Sequence, residues 1–460
     1  MTVLVVIFLT AVVALFSGTY GKGKFSRNIG ILGLGLAFGG SFFPDSFVFQ
    51  RYASMYIFGA NAALFSKISI LITLLIFILS DFSFGSHRSY QSELYALMLF
   101  SLCGGIILFG FQNLIIVFLG IEILSIPLYV MAGSKKTELR SIESSLKYFL
   151  IGAFVTGFLL FGIALVYGSV GSFDVYRIRT YGEINPLDRG YTMGAILILS
   201  ALAFKVSLVP FHMWSPDVYQ GTPSIITAFM SSVVKVAAFY TFFKLMTLCF
   251  PGIFSVWISV LSVLVIVTLL VSNIMGLVQH NVKRMLAYSS ISHAGYLSIT
   301  FFGMTNLSLY ILAFYLFAYA ISTVGIFACL TWVEKEKGDL SLKAFSGLGK
   351  TRPLLAVTAA VSLFSMAGIP ITAGFIGKLG LFSQAIRTSP LVILVAVLGS
   401  AVSIAYYLKV IRAMFFSAGY TEKKAPKTSL PYTIVALFTT VTIVVMGVCP
   451  DAFAFLFNLR

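Results

Sequence analysis

ILILSALAFKVSLVPFHMWSPDVYQGTPS, residues 196–224, decides the fold class. It begins as an apolar run suited to lipid, places Lys205 inside that run, and breaks it at Pro210, with Pro216, Gly221 and Pro223 following. A charge at mid-bilayer depth costs at least ~2.5–3.5 kcal/mol on insertion scales, so its retention there points to function. Proline removes a backbone donor and clashes with the preceding turn, which interrupts the helix near the lysine. Such an interruption is tolerated in a membrane only where protein or water satisfies the freed groups. The same combination returns in AGIPITAGFIGKLGLF, residues 367–382, where Gly368, Pro370 and Gly374 precede Lys378.

The 460 residues are 59% hydrophobic and only 10% charged, a balance no soluble domain shows. Hydropathy predicts an all-α polytopic membrane protein of about fourteen transmembrane helices. The spans fall at 2–18, 28–43, 63–81, 94–110, 112–131, 145–168, 192–213, 223–248, 254–275, 284–303, 306–333, 353–386, 390–412 and 431–456. The first run has no basic segment before it and lysines after it, so it reads as a retained helix with its N-terminus outside. With that orientation 20 of the 31 Lys and Arg residues lie in inside loops, six lie outside, and five (Lys67, Lys205, Lys235, Lys244 and Lys378) lie within spans. This bias supports both the even span count and termini on the outside. It also assigns the formal charge of +16 to loops rather than to a nucleic-acid surface.

A broken, lysine-bearing span in each half, the seventh and the twelfth, is the pattern of inverted repeats in transporters. Five spans is an odd number, so the two breaks face opposite ways. The expected units are residues 1–92 (helices 1–3), 93–250 (helices 4–8), 251–416 (helices 9–13) and 417–460 (helix 14).

Four ionisable groups stand deep in these spans: Glu122, Lys205, Lys235 and Lys378. A low-dielectric site disfavours a lysine's charge and a nearby carboxylate favours it, so a Glu122–Lys205 pair of variable separation would act as a proton switch. The structural alternative makes Glu122 and Lys205 a fixed packing pair, yet one carboxylate cannot neutralise three lysines. His212, after the seventh-span break, and His293, among Ser289, Ser290 and Ser292, could relay protons or serve only as polar contacts between helices. Lys67 and Lys244 read as snorkelling residues. Glu334, Lys335, Glu336, Lys337 and Asp339 read as a solvated loop, and Glu143 and Lys147 as an interfacial i,i+4 pair. The residues alone therefore suggest a route for a small cation.

Other chemistries lack a motif. GLGKT, residues 347–351, lacks the spacing of a phosphate loop. Cys103, Cys249, Cys329 and Cys449 form no CxxC pair, and no histidine pair on one helix is placed for haem.

PFHMWSPDVYQGTPS (210–224), KRMLAYSSISHAGY (283–296), ESSLKYFLIGA (143–153) and GIPITAGFIGKLGLF (368–382) occur in the order of a known family. Over nearly its whole length the chain resembles the subunit N family of NADH–quinone oxidoreductase, respiratory complex I. DVYQG after the PFHMW segment favours this over the Mrp-type cation–proton antiporters, the alternative, and over subunits L and M. Lys378 argues against M, where glutamate is typical. The chain's end at Arg460, without a long lateral helix, argues against L. The resemblance implies a proton path from Glu122–Lys205 through Lys235, with His212 and His293 as relays and Lys378 as terminal site. It also implies no cofactor in this chain: NAD, FMN, iron–sulfur clusters and quinone belong to partner subunits. The partners implied are the other membrane-arm subunits, especially M, J and K, in a bacterial inner membrane.

Overall fold

The computed structural model describes residues 2–20, 23–43, 55–80, 90–417 and 429–457. Among these residues only helices and isolated bridges occur. Eleven helical segments are long and apolar enough to cross a bilayer. They are α1 (Thr2–Phe16, with the turn after it), α3 (Ala60–Leu79), α4 (Gln91–Phe109), α5 (Leu114–Ala132), α6 (Leu139–Val170), α8 (Arg189–Val206), α10 (Ser224–Ser231) joined to α11 (Val233–Cys249), α12 (Phe254–Leu277), α14 (Asn306–Lys337), α18 (Pro390–Phe416) and α19 (Leu430–Val448). Three more, α2 (Gly23–Gly40), α13 (Val282–Ser298) and the pair α16 (Pro353–Ala367) and α17 (Ala373–Ala385), complete fourteen. Lys22, Arg51, Arg88, Lys423, Lys424, Lys427 and Arg460, counted above as loop charges, and the last residue of the third span fall outside the described residues.

Both expected breaks are present. α8 stops at Val206 with Ser207 left-handed (φ 66°), and α9 (Trp214–Gly221) starts beyond Pro210. α16 stops at Ala367 with Gly368 left-handed (φ 83°), and α17 starts after Pro370. A third break, inside the eighth span, was not expected: α10 and α11 part at Ser232, which has ψ −75°. No proline or glycine causes it. The Ser231 and Ser232 hydroxyls each donate to the carbonyl four residues back, Thr227 and Ala228, and such back-bonding bends helices. The fourteenth span also differs, ending at Val448 before Pro450, with a short α20 (Ala452–Phe457) after it. Between the sixth and seventh spans lies α7 (Val175–Ile184), a ten-residue helix capped by Asp174 and unassigned from sequence.

Two stretches of backbone repeat. α6 and α14 each run 32 residues and end on a left-handed glycine, Gly171 (φ 70°) and Gly338 (φ 64°). Three residues on, each chain pairs antiparallel with the asparagine that caps the repeat's second helix: Asp174 with Asn113 before α5, and Ser341 with Asn281 before α13. In the first repeat α6 and α8 touch backbone to backbone. A Cβ on Gly162 would stand 2.9 Å from the Gly194 carbonyl, and one on Gly194 2.8 Å from that of Gly162. Small residues permit this approach, which seats the lysine-bearing α8 in the bundle.

Candidate functional site

An interrupted helix leaves carbonyls without partners and a negative dipole end, and a cation is favoured there. Lys378 uses this, reaching from α17 to the final carbonyl of α16, Ala367, at 2.9 Å, whereas Lys205 lies in the last turn of α8 and sends its ammonium to α5. Lys378 also donates to Ser400 at 2.8 Å, and its ammonium stands 4.6 Å from the centre of the Tyr296 ring.

Glu122 and Lys205 are not ion-paired. The carboxylate accepts from Thr156 at 2.8 Å, while Lys205 donates to Ser125 at 3.0 Å and to the Tyr129 hydroxyl at 3.3 Å. Ser125 is three residues from Glu122 on α5, so the two charges are about one helical turn apart and hold separate partners. Glu122 is half-buried beside the exposed Leu119, Ile123 and Ile126, at the edge of the subunit.

Lys235, Lys378 and His293 are central, at 2%, 4% and 2% exposure. Lys235 follows the Ser232 break and donates to the Ser290 carbonyl. The Ser290 hydroxyl accepts from Tyr319 at 2.9 Å, and the Tyr319 and His293 ring centres are 4.7 Å apart. His293 bonds Tyr315 at 2.8 Å through Nδ1 and lies 3.4 Å from the Tyr407 hydroxyl at Nε2. Its ring is 5.9 Å from Tyr296, which covers Lys378. A run of polar and aromatic groups thus joins Lys235 to Lys378. From Lys205 toward the centre the contacts are rings: Tyr129 on Tyr148 at 4.7 Å, Tyr148 on Trp214 at 4.7 Å, and Trp214 on Tyr219 at 6.1 Å, with Tyr219 facing Ser290. His212 stands apart. It is buried between α8 and α9 with Nδ1 unpartnered, and no hydrogen bond joins it to the other five candidates.

Sequence reasoning missed the tyrosines, since an aromatic at helical spacing looks like packing. It also misplaced three charges. Lys67 is buried at 7% exposure and donates to the Phe457 carbonyl at 3.0 Å, and Lys244 donates to Phe109 and Phe111 at the end of α4, so neither snorkels. Glu334 belongs to α14 rather than a solvated loop, pairing with Lys135 at 3.1 Å and accepting from the Ser224 amide. Glu143 and Lys147 do form their i,i+4 pair, at 2.6 Å, but Lys147 also holds Asp217 of α9 at 2.9 Å, and Arg284 holds Asp217 at 2.7 Å. The α9 end of the seventh-span break is therefore clasped to α6 and α13. Among the described residues no three His, Cys, Asp or Glu side chains gather to hold a metal ion.

Residues 111–403 match the family model described as NADH:quinone oxidoreductase/Mrp antiporter, TM. NADH-quinone oxidoreductase subunit N of Cytophaga hutchinsonii is 43% identical over 403 residues, 87% of each chain. A chain of respiratory complex I from Thermus thermophilus superposes with a TM-score of 0.81 at 30% identity, covering 98% of this chain and 97% of its own. A chain of the Mrp complex from a Dietzia species shares the fold, with a TM-score of 0.83 at 20% identity over 100% and 98% of the two chains. The chain belongs to the NADH:quinone oxidoreductase/Mrp antiporter family, among the antiporter-like membrane subunits of the subunit N type.

Proposed function

We propose that the chain moves protons across the membrane through Glu122, Lys205, Lys235, His293 and Lys378, as a membrane-arm subunit of NADH–quinone oxidoreductase. The observation that carries this is the run Lys235–Ser290–Tyr319–His293–Tyr296–Lys378, a line of polar and aromatic contacts through the buried centre of the subunit. Each lysine along the path can hold or release a proton, and the hydroxyls and imidazole between them can order water and pass one on. Glu122 and Lys205 hold separate neutral partners, Thr156 for the carboxylate and Ser125 and Tyr129 for the lysine, so the pair stands open and its closing is the movement that would gate the path. His212 takes the lesser role of a relay beside the seventh-span break.

The conducting units are the repeats 93–250 and 251–416, with 1–92 and 417–460 flanking them. NAD, FMN, iron–sulfur clusters and quinone reside in partner subunits, and quinone reduction there drives this chain. Its neighbours are the other membrane-arm subunits, M, J and K in particular. It sits in a bacterial inner membrane with both termini outside, on the strength of the loop-charge asymmetry.

The test uses inverted membrane vesicles carrying Lys205→Ala or Glu122→Ala, after assembly of the complex is confirmed. NADH-driven quinone reduction and proton uptake should both fall, on the order of 100-fold if a positioned proton-transfer group has been removed. Normal oxidation with normal pumping would sink the path and leave a scaffold.

A further inference from the structure

Two cavities lie on one side of α6. The first, about 200 Å³, is polar and is bounded by Arg140, Glu143, Ser144 and Lys147 of α6 with Asp217 and Gln220 of α9. The second, about 410 Å³, is apolar; α6 contributes Ile151, Phe154, Val155 and Phe158 to it, and the seventh-span break contributes Pro210 and Trp214. Residues 140, 144, 147, 151, 154 and 158 follow one another by three or four, so a single stripe of α6 lines both. On α9, Gln220, Asp217 and Trp214 are also three apart and continue the opposite wall. The two cavities are successive parts of one groove that is polar at the basic-loop end and apolar toward mid-membrane.

Charge and length specify the occupant. Arg140 and Lys147 bound the polar end with Glu143 and Asp217, and Arg284 reaches Asp217 from α13, three cations beside two carboxylates among the described residues. Lys147 and Arg284 are spent on those carboxylates. Arg140 is exposed and has no ion pair among the described residues, so the polar end has one positive charge to give. Arginine pairs phosphate bidentately, and basic pockets between transmembrane helices on this side of a bilayer take anionic headgroups. From Lys147 to Phe158 the stripe rises about 16 Å at 1.5 Å per residue, close to half of a ~30 Å hydrocarbon core. That is the reach of one acyl chain in one leaflet.

We propose that this groove binds a single anionic phospholipid of the basic-loop leaflet, its phosphate at Arg140 and one acyl chain lying along Ile151, Phe154 and Phe158 against Pro210 and Trp214. The chain would fill the space beside the break that positions Lys205.

The test is photo-crosslinking in the intact complex, reconstituted in vesicles of phosphatidylcholine alone or with phosphatidylglycerol. A photoreactive phenylalanine analogue replaces Phe154 or, separately, the exposed Met213 on the groove's rim, with Phe161, exposed on α6 and not among the groove's lining residues, as reference for bulk lipid. The expected adduct on both groove sites is phosphatidylglycerol, enriched at least about fivefold over its fraction at Phe161, with Arg140→Ala removing the enrichment. Adducts that mirror the bulk composition at all three positions, or an enrichment indifferent to Arg140→Ala, would reduce the groove to ordinary lipid contact. A peptide adduct from a neighbouring subunit at both groove sites would assign it to a protein partner and overturn the proposal.

Discussion

In the first repeat the second helix presents Ser125 to the break lysine, one turn from Glu122. In the second repeat, 168 residues on by the spacing of the capping asparagines Asn113 and Asn281, those positions hold His293 and Ser290. The frames around them correspond: 32-residue third helices, left-handed glycines at their ends, and one antiparallel bridge each. Both breaks carry a lysine, Lys378 on the final carbonyl of α16 and Lys205 in the last turn of α8 with its ammonium on α5. They differ in where the lysine is attached, before the break at Lys205 and after it at Lys378. They differ also in what stands near it, a carboxylate in one repeat and an imidazole in the other. Duplication conserves the backbone because left-handed caps and close helix approaches leave few alternatives. Charge can change freely wherever a carbonyl or hydroxyl remains to receive it. On the proposed path the first repeat is the end that can be switched by forming an ion pair, and the second is the end that relays.

The largest test of that division substitutes equivalent positions. His293→Ala removes a group that touches both Tyr315 and Tyr407, and proton pumping by the assembled complex should fall on the order of 100-fold. Ser125→Ala removes one of two acceptors from Lys205 and leaves Tyr129, a loss of about 1 kcal/mol, or roughly fivefold in rate. Proton uptake by inverted vesicles at saturating NADH measures both. If Ser125→Ala proved the more damaging, the roles of the two repeats would have to be exchanged.

A smaller effect tests the shared frame. A Cβ at Gly171 or Gly338 would meet no atom within 4 Å, so alanine at either position costs only the left-handed strain, about 1–2 kcal/mol. Unfolding of the solubilised protein should show equal losses for Gly171→Ala and Gly338→Ala. A difference of about 1 kcal/mol or more would mean that the two turns bear different loads and that the correspondence is superficial.

Much of this was legible in the residues, for reasons that also mark the limit. Pro210 and Pro370 announce their breaks because proline acts on its own backbone, and Lys205, Lys235 and Lys378 stand out because a charge in an apolar run has few bland explanations. The Ser232 break leaves no such mark, since serine back-bonding depends on whether the helix has room to bend. The tyrosines around His293 are invisible for the opposite reason: in a chain with 22 Tyr and 45 Phe, which hydroxyl meets an imidazole depends on three helices at once. Lys67, Lys244 and Glu334 were misjudged because their partners, Phe457, Phe109 and Lys135, are 390, 135 and 199 residues away.

The smallest effect sharpens the comparison through pH. Just past each left-handed glycine a side chain folds onto the amide two residues ahead: Ser172 onto Asp174 at 3.2 Å, and Asp339 onto Ser341 at 2.9 Å. A hydroxyl does this in the first repeat and a carboxylate in the second, so only in the second is the group that folds back ionisable. The Ser341 hydroxyl and amide hold the Asp339 carboxyl below the usual carboxylate range. A carboxyl whose folded value is depressed stabilises the fold above its unfolded value of about 3.9, and loses that contribution as pH falls through the lower folded value. Asp339→Ser, which copies the first repeat, should therefore cost a little at pH 7, on the order of 0.5 kcal/mol for so exposed a turn. The difference from wild type should shrink as pH is lowered below about 4 and vanish once both forms are uncharged. Melting of the two proteins across that range reads the effect directly. A gap that stayed constant with pH would show that the Asp339 charge contributes nothing to the turn.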